Sequence, residues 1–397
     1  MGRRTRGAAG LLALSTLVAC SASNAAEEGG NPVPVADAAV TVIPLDKAGK
    51  VGTDEPVLVA ATGGTLKSVA VSGKNGSLPG EFSADRTRWR SKKTARPDST
   101  YTVTAVATNP QGKATESTST FSTVDADKSF EIEEMLPNRD DTELTVGVGM
   151  PIMVTFNKDI TDRVSVERNL VVRSSKPVEG AWHWFDDRNV HFRPLTYWPA
   201  HTKVRLEAKL AGVRGAEGMY GKRDYTLDFR IGRSQITKGS TDNHYLTVKR
   251  DGKKIREIAM SAGQGGAWKY YTTSGIHLAM SREPVTIMVS PGIGPGSPGY
   301  YKKTVYNTVR ISSSGEYVHS APWSVGSQGY SNVSHGCVNV SPSNASWFIR
   351  NTLIGDPIII TGSPRELEPT NGWGHWQESW KQWLKWSSIK SAPTESL

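Results

Sequence analysis

Between residues 40 and 124 the chain has no helical periodicity, and that absence limits what this stretch can fold into. Apolar residues come in short β-prone runs such as Thr41-Val42-Ile43-Pro44, Val57-Leu58-Val59-Ala60 and Lys67-Ser68-Val69-Ala70-Val71. Tyr101, Val103, Ala105 and Ala107 alternate with Thr102, Thr104 and Val106, and Asn109-Pro110-Gln111-Gly112 then supplies a hairpin turn. A strand with one apolar face must bury it against a second layer, so two packed sheets are expected here.

A second all-β block follows. Ile152-Met153-Val154-Thr155-Phe156, Val190-His191-Phe192-Arg193-Pro194 and Val204-Arg205-Leu206-Glu207-Ala208 read as strands, and residues 225–231 close it. The reading is two immunoglobulin-like β-sandwiches, residues 39–125 and 126–233, in a chain of 397 residues that is too long for one domain. Trp182-His183-Trp184 with Tyr197-Trp198 is either a carbohydrate platform or, the favoured reading, core packing.

The N-terminus is of another kind. Arg3, Arg4 and Arg6 precede an apolar run, and Leu17-Val18-Ala19-Cys20 matches a bacterial lipobox. Residues 1–19 are expected to be a lipoprotein signal peptide, Cys20 the lipidated residue, and 20–38 a flexible tether. A plain secretory signal cut near Ala25 or Ala26 is the alternative. Without residues 1–19 the net charge of +9 becomes +6. The basic residues are scattered, so a nucleic-acid partner is not expected, whereas a modestly basic exported protein suits an anionic cell envelope. Cys20 and Cys337 are the only cysteines; with Cys20 carrying lipid, no intramolecular disulfide forms and stability must come from cores.

From about residue 234 the text changes. His244 to Gly252 reads as a strand ending in a tight turn, with residues 255–261 as its return. Residues 283–301 are broken by Gly and Pro and are expected to form a long irregular loop, a lid over a site. Residues 343–350 form a helix with Ser341 or Ser343 as N-cap, and Pro357-Ile358-Ile359-Ile360 is a last buried strand. In the tail, Trp373, Trp376, Trp380, Trp383 and Trp386 recur at helical spacing. Such a face either packs back on the protein, the favoured reading, or meets a membrane.

Cys337 sits in Ser334-His335-Gly336-Cys337-Val338-Asn339, eighteen residues after His319. A thiol with an intrinsic pKa of about 8.5 needs a base or a positive environment to act as a nucleophile. His335 is awkwardly close in sequence, whereas His319 comes from a separate β-like segment. Gly336 permits a tight turn in which successive N–H groups point at one oxyanion, and Asn339 can brace it. Competing readings are an inert buried thiol and a zinc site made by His319, His335 and Cys337.

These residues, with Ser320-Ala321-Pro322-Trp323-Ser324 and Ser341-Pro342-Ser343-Asn344-Ala345, resemble the signature of the YkuD-type L,D-transpeptidases of the actinobacterial lipoprotein kind. The resemblance covers nearly the whole mature chain. It implies a β-rich catalytic domain over 234–363 followed by a Trp-rich tail over 364–397. It also implies an exported enzyme held at the outer face of the membrane by lipid, needing no metal and no cofactor. Cys337 would attack the third residue of a peptidoglycan stem tetrapeptide, expected to be diaminopimelate, and release the terminal D-alanine. An amine of a second, acceptor stem would then resolve the thioester into a 3→3 cross-link. His319 would act as base and then acid, oriented by the Ser320 carbonyl, with the His335, Gly336 and Cys337 N–H groups as oxyanion hole. Tyr300, in preference to Tyr301, and Met288 match lid residues, while Trp323, Ser334 and Asn339 line the cleft. Carbapenem-type inhibitors would acylate Cys337. Thr272-Thr273-Ser274-Gly275 departs from the family's Thr-Pro-x-Gly turn. An L,D-carboxypeptidase, attachment of another amine acceptor such as a wall protein, and a non-catalytic wall-binding scaffold are the alternatives.

Overall fold

A computed structural model describes residues 36–53, 56–74, 76–138, 144–290, 293–298 and 300–397. The lipobox and Cys20 lie outside the described residues. Among the described residues no helix is long and apolar enough to cross a membrane. The chain is mainly β, as its alternation requires.

In the N-terminal block a four-stranded sheet faces a five-stranded one. The long Thr100–Thr108 strand buries Tyr101, Val103, Ala105 and Ala107, the alternating set, while its intervening residues stay part-exposed. Tyr101 stacks on Phe121 with ring centroids 5.4 Å apart. The hairpin turn is held by Asn109, whose side-chain oxygen accepts from the N–H groups of Gln111 and Lys113 at 3.1 and 2.9 Å.

The second block also pairs two five-stranded sheets, but each takes its last strand from the C-terminus. Ala392–Pro393 pairs with Glu179 and Gly180, and Glu395–Ser396 runs parallel to Arg173 and Ser174. The tryptophans of this block are core residues. Trp182, Trp184 and Trp198 are all buried, with indole N–H groups donating to Leu170 O, Glu167 Oε2 and Met150 O. Buried rings cannot serve as a sugar platform.

The Trp-rich tail does not form one amphipathic helix. Only Trp380–Trp383 is α-helical, followed by a 3₁₀ turn at Leu384–Trp386, and Trp373 and Trp376 lie in turns before it. Trp383 is fully buried and donates to Ala181 O at 3.0 Å; Trp376 donates to Gly149 O at 2.9 Å. Trp376 and Trp383 are thus fixed by separate partners on the second block, contacts that override the helical spacing, while Trp386 stays exposed.

The third block is a single nine-stranded sheet. In spatial order its strands are Gly275–Leu278, Pro357–Thr361, Gln235–Ser240, Tyr245–Arg250, Lys253–Ser261, Val338–Val340, Tyr317–Ser320, Lys302–Arg310 and Ser281–Val289. The Pro342–Asn351 helix has Pro342 in its first turn and Ser341 as N-cap, accepting from Asn344 N–H, and it packs Ala345 and Phe348 into the core. The irregular lid is shorter than expected. Val285 to Val289 remain in a strand that pairs with Lys302–Tyr306, so the irregular stretch begins only at residue 290. Pro284 falls opposite Asn307, whose φ is +52°, on an edge strand where a missing N–H is tolerated.

Candidate active site

Strand pairing assembles the reactive groups. Tyr317–Ser320 runs parallel to Val338–Val340, with Val318 opposite Val338, His319 opposite Asn339 and Ser320 opposite Val340. Val318, Val338 and Val340 enter the core, so the alternate residues Tyr317, His319 and Asn339 face the other way. Cys337, two residues before Asn339, stands at the mouth of the strand on that side.

The turn before Cys337 is tied at both carbonyls. Ser334 Oγ donates to Cys337 O at 2.5 Å and accepts from Gly336 N–H at 3.1 Å. Thr272 Oγ1 donates to Gly336 O at 2.6 Å while accepting from Gly263 N–H at 2.8 Å. Gly336 has φ +129°, a conformation costly for any residue with a Cβ. Ser334, expected to line the cleft, does so and also clamps this turn. The Gly336 N–H, expected to face an oxyanion, is held by Ser334 and must exchange that bond to serve there.

His319 is buried, and its Nδ1 lies 2.9 Å from Ser320 O. A carbonyl only accepts, so Nδ1 carries the proton and Nε2 is the basic nitrogen. Burial lowers the imidazole pKa below its ordinary value; the Ser320 carbonyl opposes this, and the nearby Lys303 ammonium reinforces it. His319 is therefore a neutral base at neutral pH. Asn339 Nδ2 donates to Ser324 Oγ at 3.1 Å.

Cys337 keeps part of its surface open to the cleft and donates its S–H to Gly315 O at 3.6 Å. Burial pushes its pKa up to about 12; the Tyr317 backbone N–H opposes this and the Glu316 carboxylate adds to it. The resting group is a thiol, not a thiolate.

Two cavities, of about 220 and 210 Å³, meet at Cys337 and share Met288, Tyr301 and His335. Trp323, Asn339 and His319 line the second. Trp323 carries the Lys303 ammonium 3.2 Å from its ring centroid. His335 lies between Tyr270 and Tyr301, stacked on the latter with centroids 5.3 Å apart.

The structure brings Tyr301, not Tyr300, to the cleft: Tyr300 lines neither cavity. The reason is strand parity. Tyr301, Lys303 and Val305 share one face leading into the Lys302–Arg310 strand, with Met288 opposite Lys303, and Tyr301 is fixed by two hydrogen bonds with Ser290. Continuing the period of two back from Val305 would have selected Tyr301. Lys303, Glu316 and Arg365 carry no motif in the sequence, and Thr272 stands out there only as part of the turn that departs from the family pattern.

A sheet-borne cysteine and a buried imidazole line one cleft, an arrangement suited to cysteine acyl-transfer chemistry. Residues 236–360 match the L,D-transpeptidase catalytic domain family, and residues 48–214 match a bacterial Ig domain. The chain is 34% identical to L,D-transpeptidase 5 of Mycobacterium tuberculosis, covering 96% of this chain and 83% of that protein. It is 36% identical to L,D-transpeptidase 2 of the same species, covering 88% and 84%. Among solved structures, an L,D-transpeptidase from Mycobacterium smegmatis is 37% identical, with a TM-score of 0.47 over 59% of this chain and 99% of that one. LD transpeptidase LdtMt1 in complex with imipenem is 37% identical, with a TM-score of 0.49 over 58% and 98%. The chain belongs to the L,D-transpeptidases and is an enzyme of that type.

Proposed function

We propose that this enzyme forms 3→3 cross-links between peptidoglycan stem peptides through a Cys337 thioester. One observation carries the reading: the parallel register that sets His319, with Nε2 unprotonated, on the face of the sheet from which Cys337 enters the cleft.

In the first half-reaction Nε2 of His319 takes the thiol proton as Sγ bonds to the carbonyl carbon of the third residue of a donor tetrapeptide. The carbonyl oxygen becomes an oxyanion, met by backbone N–H groups of residues 335–337 and by the Tyr301 hydroxyl. Collapse breaks the peptide bond, and His319 returns its proton to the departing D-alanine amine. In the second half an acceptor amine gives a proton to His319 as it attacks the thioester. The C–S bond then breaks and the sulfur regains the proton. A thiol that is neutral at rest suits this order, because the proton leaves only when a carbonyl is in place. The two cavities meeting at the sulfur fit a donor on one side and an acceptor on the other.

Carbapenem-type inhibitors, whose strained amide presents the same carbonyl, would acylate Cys337. Cys20 would anchor the enzyme by lipid at the outer face of the membrane, with the sandwiches as a spacer toward the wall. Incubation with a disaccharide-tetrapeptide tests the reaction by mass spectrometry. A dimer lacking one D-alanine supports transpeptidation, and tripeptide alone moves the assignment to an L,D-carboxypeptidase.

A further inference from the structure

The first cavity carries cationic groups that its own wall does not neutralise. Lys269 and Arg365 both line it alongside Cys337. Among the described residues Lys269 has no ion-pair partner, its ammonium lying 5.1 Å from the Tyr270 ring centroid. Arg365 reaches only Glu368, at 4.0 Å, and its buried Nε has no hydrogen-bond partner among the described residues.

One carboxylate, Glu316, also lines this cavity, but both of its oxygens are engaged by Thr273 behind the wall. Oε1 accepts from Thr273 N–H and Oε2 from Thr273 Oγ1, both at 2.7 Å. Thr273 has a single hydroxyl proton, so it must accept from Nε2 of His277, 2.7 Å away. Nδ1 of His277 faces Ile358 O at 3.3 Å, which also only accepts. His277 Nε2 also lies 3.8 Å from Glu316 Oε2, so the carboxylate is enclosed by polar groups behind the wall. Two cations, Lys269 and Arg365, thus line the cavity against this one hydrogen-bonded carboxylate.

Arg365 is placed by the turn that departs from the family pattern. Ser274 N–H donates to Arg365 O at 2.6 Å, Leu367 N–H donates to Ser274 O at 2.8 Å, and neighbouring Thr272 holds Gly336 O. One turn thus fixes both the nucleophile's loop and the guanidinium. Arg365 lies beyond the residues matched by the catalytic-domain family.

We propose that Arg365 and Lys269 make the first cavity a carboxylate-reading subsite, which selects stem peptides bearing a free carboxylate beside the scissile bond over those bearing a carboxamide there. This rests on the peptide-substrate reading above and adds to it the acidic class of the substrate. A guanidinium matches a carboxylate through paired N–H donors, whereas a neutral amide meets only part of that demand.

The test is binding, with chemistry blocked. Cys337→Ala protein is titrated by calorimetry with a diaminopimelate tetrapeptide in the free-acid form, and with its analogue whose side carboxylates are carboxamides and whose C-terminal carboxylate is kept. The acid should bind about tenfold more tightly, a ratio that shrinks with added salt. Adding Arg365→Gln and Lys269→Gln should bring the ratio to about one, whereas Arg365→Lys should retain most of it. Equal binding of the two peptides, or a ratio unchanged in the double glutamine variant, overturns the proposal. If the unmodified enzyme turns over neither peptide while the ratio persists in Cys337→Ala, the subsite stands and the transpeptidase reading fails.

Discussion

His319 stands opposite Asn339 across a parallel strand pair, and this register places the proposed base relative to Cys337, the proposed nucleophile two residues upstream of Asn339. The Ser320 carbonyl fixes the ring tautomer, and Lys303, held over Trp323, favours the neutral imidazole. The neutral imidazole is thus favoured by groups of its own strand and of the lid hairpin, and burial favours the protonated thiol.

Replacing His319 with Gln should leave the fold intact and lower the rate of Cys337 acylation by about 10²–10⁴-fold, the ordinary worth of a positioned base. Stopped-flow measurement of acylation by a carbapenem reads this directly. His335→Gln, which removes a ring stacked on Tyr301 and not the base, should cost far less.

Thiol reactivity should follow the raised pKa of Cys337. The deprotonated form is disfavoured by burial and by Glu316, so alkylation by iodoacetamide should keep rising with pH beyond 9. A plateau near pH 6 would indicate a resting thiolate–imidazolium pair. The enzymatic rate should instead fall on the acid side only below the ordinary histidine range, because the His319 pKa is lowered.

Gly336→Ala tests the turn. A Cβ there meets nothing closer than 3.7 Å, so the cost is backbone strain at φ +129° and not a clash. Loss of about 1–3 kcal/mol of stability is expected, with reduced acylation from a displaced turn. Thermal unfolding and the acylation rate should change together.

The tail-sandwich interface should make stability depend on pH. His191 Nδ1 and His375 Nε2 are 2.8 Å apart, and His183 Nδ1 lies 3.0 Å from Trp383 O, beside Arg193 and Glu378. Burial, with the charges of Arg193 and His183, takes His375 down to about 3; burial and its two histidine neighbours lower His191 as well. In the unfolded chain these groups bind protons below about pH 6.5, while the folded protein keeps them neutral. Stability is therefore full above pH 6.5 and falls as pH drops toward the folded values, by about 1.4 kcal/mol per pH unit for each histidine. Unfolding scans at pH 7.5 and 5 should show this, and His375→Phe should flatten the difference.

What the sequence disclosed followed from local rules. Strict alternation marked the Thr100–Thr108 strand and its buried face, and Ser341 with Pro342 marked the helix start. The proposed reactive pair is legible because Cys337 and His319 sit in a compact motif. Features set by long-range pairing were not legible. Tyr301 was passed over for Tyr300 because its selection depends on the register of the lid hairpin. The tail's tryptophans suggested a helix because their separate partners on the second block lie some two hundred residues away. Glu316, Thr273 and His277 are joined only by the fold, as is Arg365 to the cleft.

The account's central claim is a thioester on Cys337 that an amine resolves. Rapid-quench intact-protein mass spectrometry with a donor tetrapeptide tests it most directly. The account predicts an adduct of the donor lacking its terminal D-alanine, mapped to Cys337 and discharged into a 3→3 dimer when acceptor stem is added. Dimer formation by a Cys337→Ala variant, or an adduct on any other residue, would contradict it.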